Sequence, residues 1–127
     1  GYDSENTATN YNIVFPKKCS WEQYKPLLQK AMELVASFKP QVLIVAFGAD
    51  TVEMDPDPSI IYGASLTVES YKLMGEMIGS LSPCDKIIVT QEGGYDLSKV
   101  PFIIDNLLSG IENGLDKQQT SKEITFA

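Results

Sequence analysis

The chain has 127 residues, of which 43% are hydrophobic and 21% charged, and these values are typical of one folded domain. Its formal net charge of −7 disfavours nucleic-acid binding and would suit a basic peptide tail or a polyamine better, although solubility is the more ordinary reason for such acidity. The sequence contains no histidine, which excludes Ser-His-Asp and Cys-His catalysis by these residues alone and removes the commonest metal ligand.

The two cysteines, Cys19 and Cys84, lie far apart and form no CxxC pair, so the sequence predicts neither a disulfide scaffold nor a zinc knuckle. Reduced thiols favour a cytoplasmic or nuclear location. Residues 1–10 are polar and rich in turn formers, which indicates a flexible segment and not a secretion signal. The longest apolar run, residues 42–47, is too short to span a bilayer, so we expect no membrane segment.

A first helix is predicted from a capping box in which Ser20 is the N-cap and the glutamine three residues later reaches back to it. Apolar residues at three- and four-residue spacing then continue to about Phe38 and define one buried face. Pro26 lies inside this pattern, so we expect a kink there or a later start. The preceding residues 11–15 could form a short strand or an extended arm.

Two further helices are predicted downstream. One has Thr67 as its N-cap and ends before Ser82. The other covers residues 98–113 and has Gly114 as its C-cap. The tail, residues 116–127, is polar until its last apolar residues, so it is expected to be flexible or to add an edge strand.

Two short apolar runs, residues 41–47 (QVLIVAF) and 86–91 (KIIVTQ), separate these helices and are predicted to be strands. Because the first run has no polar face, helices are expected to cover the sheet on both sides. The alternation of helices and strands predicts α/β architecture, with three αβα layers and a mainly parallel sheet. Residues 1–127 are expected to form a single domain.

Polar loops follow both predicted strands, at the sheet edge where ligands bind in open α/β folds. On the residues alone, Asp50 could bind a metal, accept a hydrogen bond from a base or ribose, or cap its loop, whereas Asp55 precedes a proline and is typical of a turn. Gly93 and Gly94 permit positive φ or a close backbone approach, but they form no phosphate-binding motif. Tyr95 could donate to an oxyanion or bridge its loop to the core.

Four motifs occur in a fixed order along the chain: an FxP turn at residues 38–40, GADTVEMDP at 48–56, a Leu-Thr helix start at 66–67 and QEGGYD at 91–96. This ordered set resembles the C-terminal part of the arginase and histone deacetylase superfamily over about residues 11–113. The wording of the last motif is more similar to acetylpolyamine amidohydrolases and class II-like deacetylases than to class I.

The resemblance implies that the complete parent enzyme is a zinc-dependent hydrolase of N-acetyl-lysine or acetylpolyamine amides. It implies that Asp50 is a zinc ligand, that Tyr95 is the catalytic hydroxyl that polarises the carbonyl, and that Gly93 and Gly94 line the substrate tunnel. The family's Asp-x-His ligands and His-His general base have no match in this sequence. We therefore expect a C-terminal fragment that is inactive alone and does not hold zinc by itself.

The resemblance also implies a larger sheet than the two strands predicted here. An open sheet edge recruits partners, so we expect the chain to pair with the N-terminal part of the same enzyme or with a second copy of itself. Two other functions stay open: an inactive binding or scaffold module of the same fold, and an unrelated small α/β ligand-binding domain. The presence of Tyr95 favours the enzyme, and the missing phosphate loop disfavours the unrelated domain.

Overall fold

The computed structural model describes residues 3–57 and 63–125, except for the side chains of residue 3 and of residues 122–125. Its helices and strands follow the predicted alternation. In chain order they are α1 (Trp21–Phe38), β1 (Leu43–Phe47), α2 (Ser70–Leu81), β2 (Ile87–Gln91) and α3 (Val100–Thr125), with short 3₁₀ turns at Asp3–Glu5 and Ala49–Thr51.

Helix α1 begins and ends where its sequence signals place it. The backbone N–H of Ser20 donates to Oε1 of Gln23 at 3.1 Å, as the capping box requires. The helix ends at Lys39, which is left-handed (φ 55°) and donates its N–H to the carbonyl of Ala36. Pro26 neither delays the start nor breaks the helix. Pro26 is exposed, so its ring faces solvent, and the proline costs the helix one backbone hydrogen bond.

The two strands pair in parallel, and Phe47 lies opposite Gln91 at their carboxyl ends. Side chains at alternate positions, such as Val45 and Phe47, pack into the core. The other face carries Ile44 and its pairing partner Ile88, which are 65% and 52% exposed. The α/β class with a parallel sheet is confirmed. The expected cover is found on one face only, because the described residues place no helix over the face that carries Ile44 and Ile88.

Helix α2 begins at Ser70 with Glu69 as its N-cap, two residues later than the N-cap predicted at Thr67. Residues 67–69 form a turn in which the Thr67 carbonyl accepts the N–H of Ser70 at 3.0 Å, and the two hydroxyl oxygens lie 3.2 Å apart. Thr67 therefore stabilises the approach to the helix and is not its N-cap.

Helix α3 runs to Thr125, so the predicted end near residue 113 is wrong. Gly114 is not a C-cap but lies buried where α3 crosses α2. Gly75 and Gly79 of α2 face Gly110 and Gly114 of α3, and a Cβ added at Gly114 would lie 2.9 Å from the Gly79 Cα. The two helix backbones are therefore in direct contact. The residues of the tail up to Thr125 continue the helix and add no edge strand.

The core lies between the covered sheet face and helices α2 and α3. Phe47 and Tyr71 meet edge to face, with ring centroids 5.7 Å apart and planes at 87°. Ile103 and Leu107 of α3 are fully buried beside them. Residues 11–15 belong to no strand. Of the two predicted alternatives, a short strand and an extended arm, the short strand is therefore wrong.

Candidate functional site

Two loops leave the carboxyl ends of the paired strands at the same edge of the sheet. The first loop is residues 48–57 and the second loop is residues 92–99. Strand pairing continues into both, because the N–H of Glu92 donates to the carbonyl of Phe47 and the N–H of Ala49 donates to the carbonyl of Gly93, each at 2.8 Å. The two loops therefore share one surface, as the sequence predicts.

The carboxylate of Asp50 lies between two glycines, one from each loop. A Cβ added at Gly48 would lie 2.5 Å from Oδ1 of Asp50, and one added at Gly93 would lie 2.5 Å from Oδ2. Within residues 3–57 and 63–125, this carboxylate accepts no hydrogen bond and forms no ion pair. Of the alternatives left open by the sequence, loop capping therefore has no hydrogen bond to support it.

The turn that presents Asp50 is held from beneath by Tyr71 of α2. The Tyr71 hydroxyl lies 2.9 Å from Oγ1 of Thr51 and donates to the carbonyl of Ala49 at 3.5 Å. Burial raises the pKa of Tyr71 far above its ordinary value, so the hydroxyl stays neutral and remains a donor. Tyr71 lies within the second predicted helix, and its position there indicated no role in the site. The signal that was missed is that a fully buried tyrosine hydroxyl needs a polar partner.

The two glycines of the second loop are required for different structural reasons. Gly94 has φ 130°, a backbone conformation that residues with a side chain rarely adopt, and a Cβ there would lie 2.7 Å from the Ala49 Cβ. Gly93 has no such φ but lies against the carboxylate of Asp50. Tyr95 follows and is 53% exposed, and its hydroxyl makes no hydrogen bond within the described ranges. The hydroxyl therefore has no hydrogen-bond partner in the core among the described residues.

Side chains also connect the two loops directly. Oδ2 of Asp55 accepts the backbone N–H of Tyr95 at 3.0 Å, and Oδ1 accepts the N–H of Asp57 at 3.0 Å. From the other side, Nζ of Lys99 donates to the carbonyl of Glu53 at 2.8 Å. The predicted turn at Asp55 is confirmed, but the link from that carboxylate to Tyr95 joins residues 40 positions apart and has no local sequence signal.

The described residues supply one candidate metal ligand and not a complete site. No group of three His, Cys, Asp or Glu side chains able to hold an ion occurs in the part of the chain that the structure describes. Catalytic zinc usually takes three protein ligands, so Asp50 alone does not fit a zinc ion. In the same part of the chain, no helix is both long and apolar enough to cross a membrane.

Comparisons with known proteins show which family this chain belongs to. Residues 2–111 match the family model of the histone deacetylase domain. Acetylpolyamine amidohydrolase 2 of Pseudomonas aeruginosa is 31% identical over 117 residues, which cover 88% of this chain and 32% of the relative. Acetylpolyamine amidohydrolase of Mycoplana ramosa is 30% identical over 104 residues, which cover 82% of this chain and 29% of the relative.

A crystal structure of acetylpolyamine aminohydrolase from Burkholderia pseudomallei superposes with a TM-score of 0.76 at 24% identity, over 90% of this chain and 33% of that one. The fold is therefore part of that larger fold. The chain spans about a third of the length of the relatives that it matches. Since the family model covers most of its residues, the chain belongs to the histone deacetylase domain family.

Proposed function

We propose that the chain is part of a zinc-dependent deacetylase that hydrolyses the amide of an acetylated amine. Asp50 would be one zinc ligand, Tyr95 the catalytic hydroxyl, and Gly93 and Gly94 part of the substrate tunnel. The observation that carries this proposal is the Asp50 carboxylate, which is held between Gly48 and Gly93 and makes no hydrogen bond in the described residues. A carboxylate oxygen without a hydrogen-bond donor keeps its lone pairs available to a metal ion.

The zinc ion, when bound, would polarise the substrate carbonyl and activate a water molecule. The resemblance assigns the remaining ligands to an Asp-x-His motif and the general base to paired histidines, and this sequence contains no histidine. These groups would have to come from residues outside this chain. The 127 residues alone should therefore bind zinc weakly and turn over no substrate.

The hydroxyl of Tyr95 is exposed and makes no hydrogen bond within the described residues, so it is available to a substrate. A donor aimed at the carbonyl oxygen stabilises the charge that develops there in the transition state, which raises kcat more than it lowers KM. Because Gly93 and Gly94 have no side chain, the second loop approaches Asp50 and Ala49 of the first loop closely, and the resemblance places this stretch in the substrate tunnel.

An acetylpolyamine is the favoured substrate and an acetyl-lysine peptide the second choice. The sequence relatives described above are named for acetylpolyamines. The net charge of −7 also suits a cationic amine, because opposite charge raises the local concentration of the ligand.

We also propose that the exposed sheet docks against the N-terminal part of the same enzyme, or against a second copy of the chain. Ile44 and Ile88 form an apolar pair on the uncovered face. In the described residues the sheet has two strands, so each strand has one edge that pairs with no other strand. Apolar area and unpaired backbone groups both favour association.

A catalytically inactive module of the same fold is the second candidate, and the observation that favours it is the single candidate metal ligand. Membership of the histone deacetylase family displaces the third alternative, an unrelated ligand-binding domain.

A chimera in which this chain replaces the matching third of the Pseudomonas acetylpolyamine amidohydrolase 2 would decide between the two candidates. The proposal predicts one zinc per molecule and hydrolysis of an N-acetylated diamine, and Asp50→Ala should lose both. Asp85→Ala, which alters an exposed residue after α2, is the matched control and should lose neither. A folded chimera that binds zinc without hydrolysing acetylated amines would favour the inactive module.

A further inference from the structure

We propose that Asp55 and Lys99 are positioning residues that connect the first loop to the second loop and thereby fix the backbone of Tyr95 relative to the loop that carries Asp50. The catalytic consequence rests on the proposed function, whereas the structural part does not. The two residues form what we call the loop clasp: the Asp55 carboxylate with the Tyr95 N–H, and the Lys99 ammonium with the Glu53 carbonyl.

Asp55 restrains the backbone of the second loop directly after its two glycines. Two glycines precede Tyr95, and glycine imposes the weakest restraint on the backbone. The Asp55 carboxylate opposes that freedom because Oδ2 accepts the Tyr95 N–H. Oδ1 is fixed in turn by the N–H of Asp57, so the acceptor is itself held in one orientation. A hydrogen bond to an ionised acceptor is stronger than one between neutral groups.

Lys99 closes the other end of the same connection. Its Nζ lies 2.8 Å from the Glu53 carbonyl oxygen and 3.2 Å from Oδ2 of Asp96, and the side chain is 28% exposed. The Glu53 N–H donates to the carbonyl of Leu66 at 2.9 Å, so Lys99 binds a backbone segment that another hydrogen bond already fixes.

The two contacts lie on either side of Met54, which is exposed and left-handed at φ 61°. The first loop is therefore held at Glu53 and Asp55, and the second loop at Tyr95 and Lys99. Since Asp50 belongs to the same short loop as Asp55, a displacement of that loop carries the Tyr95 backbone with it. The loop clasp thus couples the backbone of Tyr95 to the loop that carries Asp50.

Hydrogen exchange of the Tyr95 amide in the full chain, measured by NMR, tests the structural part. Asp55→Ala should accelerate this exchange by about tenfold or more, because the N–H loses its charged acceptor. Asp55→Asn keeps an oxygen acceptor and should restore most of the protection. Glu53→Gln is the matched control, since it removes one negative charge from the same loop but keeps the carbonyl that Lys99 uses. An unchanged exchange rate in Asp55→Ala would overturn the loop clasp.

Kinetics of the chimera test the positioning role. Asp55→Ala and Lys99→Met should each lower kcat by about ten- to a hundredfold and change KM much less, because misplacement of Tyr95 acts in the transition state. Lys99→Arg keeps a donor and should recover most of kcat. Unchanged kcat in both variants would refute the positioning role while the proposed function stands. A wild-type chimera that folds, binds zinc and lacks activity would refute the proposed function, and the exchange rates would still decide the loop clasp.

Discussion

Replacing Gly110 by alanine should weaken the contact between α2 and α3, the two helices that follow the two loops of the site. A Cβ at Gly110 would collide with the carbonyl oxygen of Lys72 and lie 3.0 Å from both the Glu76 nitrogen and the Gly75 Cα. All three obstacles are backbone atoms, so no side chain can rotate away. The helices would have to separate along the face that carries Gly75, Gly79 and Gly110.

The size of the effect follows from two opposing contributions. Alanine is favoured over glycine inside a helix by about 1 kcal/mol. Overpacking a tight contact costs about 3 kcal/mol at the upper end of its usual range, which applies here because the backbone cannot yield. The expected net loss in the free energy of unfolding is about 2 kcal/mol. For 127 residues this loss lowers Tm by about 7 °C.

Thermal and urea unfolding of Gly110→Ala, followed by circular dichroism, would measure this loss. Asn113→Ala is the matched control, because position 113 is exposed on the same helix and the change should raise stability through helix propensity by no more than about 0.7 kcal/mol. If Gly110→Ala were as stable as the wild type or more stable, helix propensity would dominate and the backbone contact would carry no strain.

Three further predictions concern the site and the sheet. Gly93→Ala in the chimera should lower zinc affinity by about tenfold or more, because its Cβ would lie 2.5 Å from Oδ2 of Asp50. Chelator competition measures this affinity, and an unchanged value would contradict the packing of that carboxylate. Changing both Ile44 and Ile88 to threonine should reduce self-association of the isolated chain in sedimentation without unfolding it, and equal association would show that this face is not the interface. The pKa of Asp96 is lowered in the folded chain, chiefly by a hydrogen bond from Ser98. Its carboxylate therefore stabilises the fold above about pH 4, and this stabilisation is lost as the pH falls through the folded pKa. The stability deficit of Asp96→Asn should shrink between pH 7 and pH 2.5, and a constant deficit would contradict this.

Local signals predicted the elements whose stability is local. The hydrogen bond between Ser20 and Gln23 joins neighbours on the chain, so the start of α1 could be inferred from sequence. The end of α3 could not, because Gly114 has the composition of a C-cap but serves a contact with α2, which is distant in sequence. The glycines at four-residue spacing in both helices were the available sign of that contact.

The site likewise combines contacts that the sequence predicts with contacts that it does not. Asp50 and Gly93 come together because two parallel strands end at one edge, and alternation of elements predicts that edge. The hydrogen bonds of Tyr71 beneath the first turn, and of Asp55 across to the second loop, depend on side-chain geometry over 20 or more positions. No periodicity reports such contacts. The exposed face at Ile44 is a different case, because here the apolar run predicts a covering layer that the described residues do not supply.

The most direct test of the account is the location of zinc in crystals of the chimera, determined by anomalous scattering at the zinc edge. The account predicts a zinc ion bonded to a carboxylate oxygen of Asp50 at about 2.0–2.2 Å, with the Tyr95 hydroxyl turned toward the same cavity. A zinc ion bound elsewhere, or a Tyr95 ring directed away from Asp50, would contradict it.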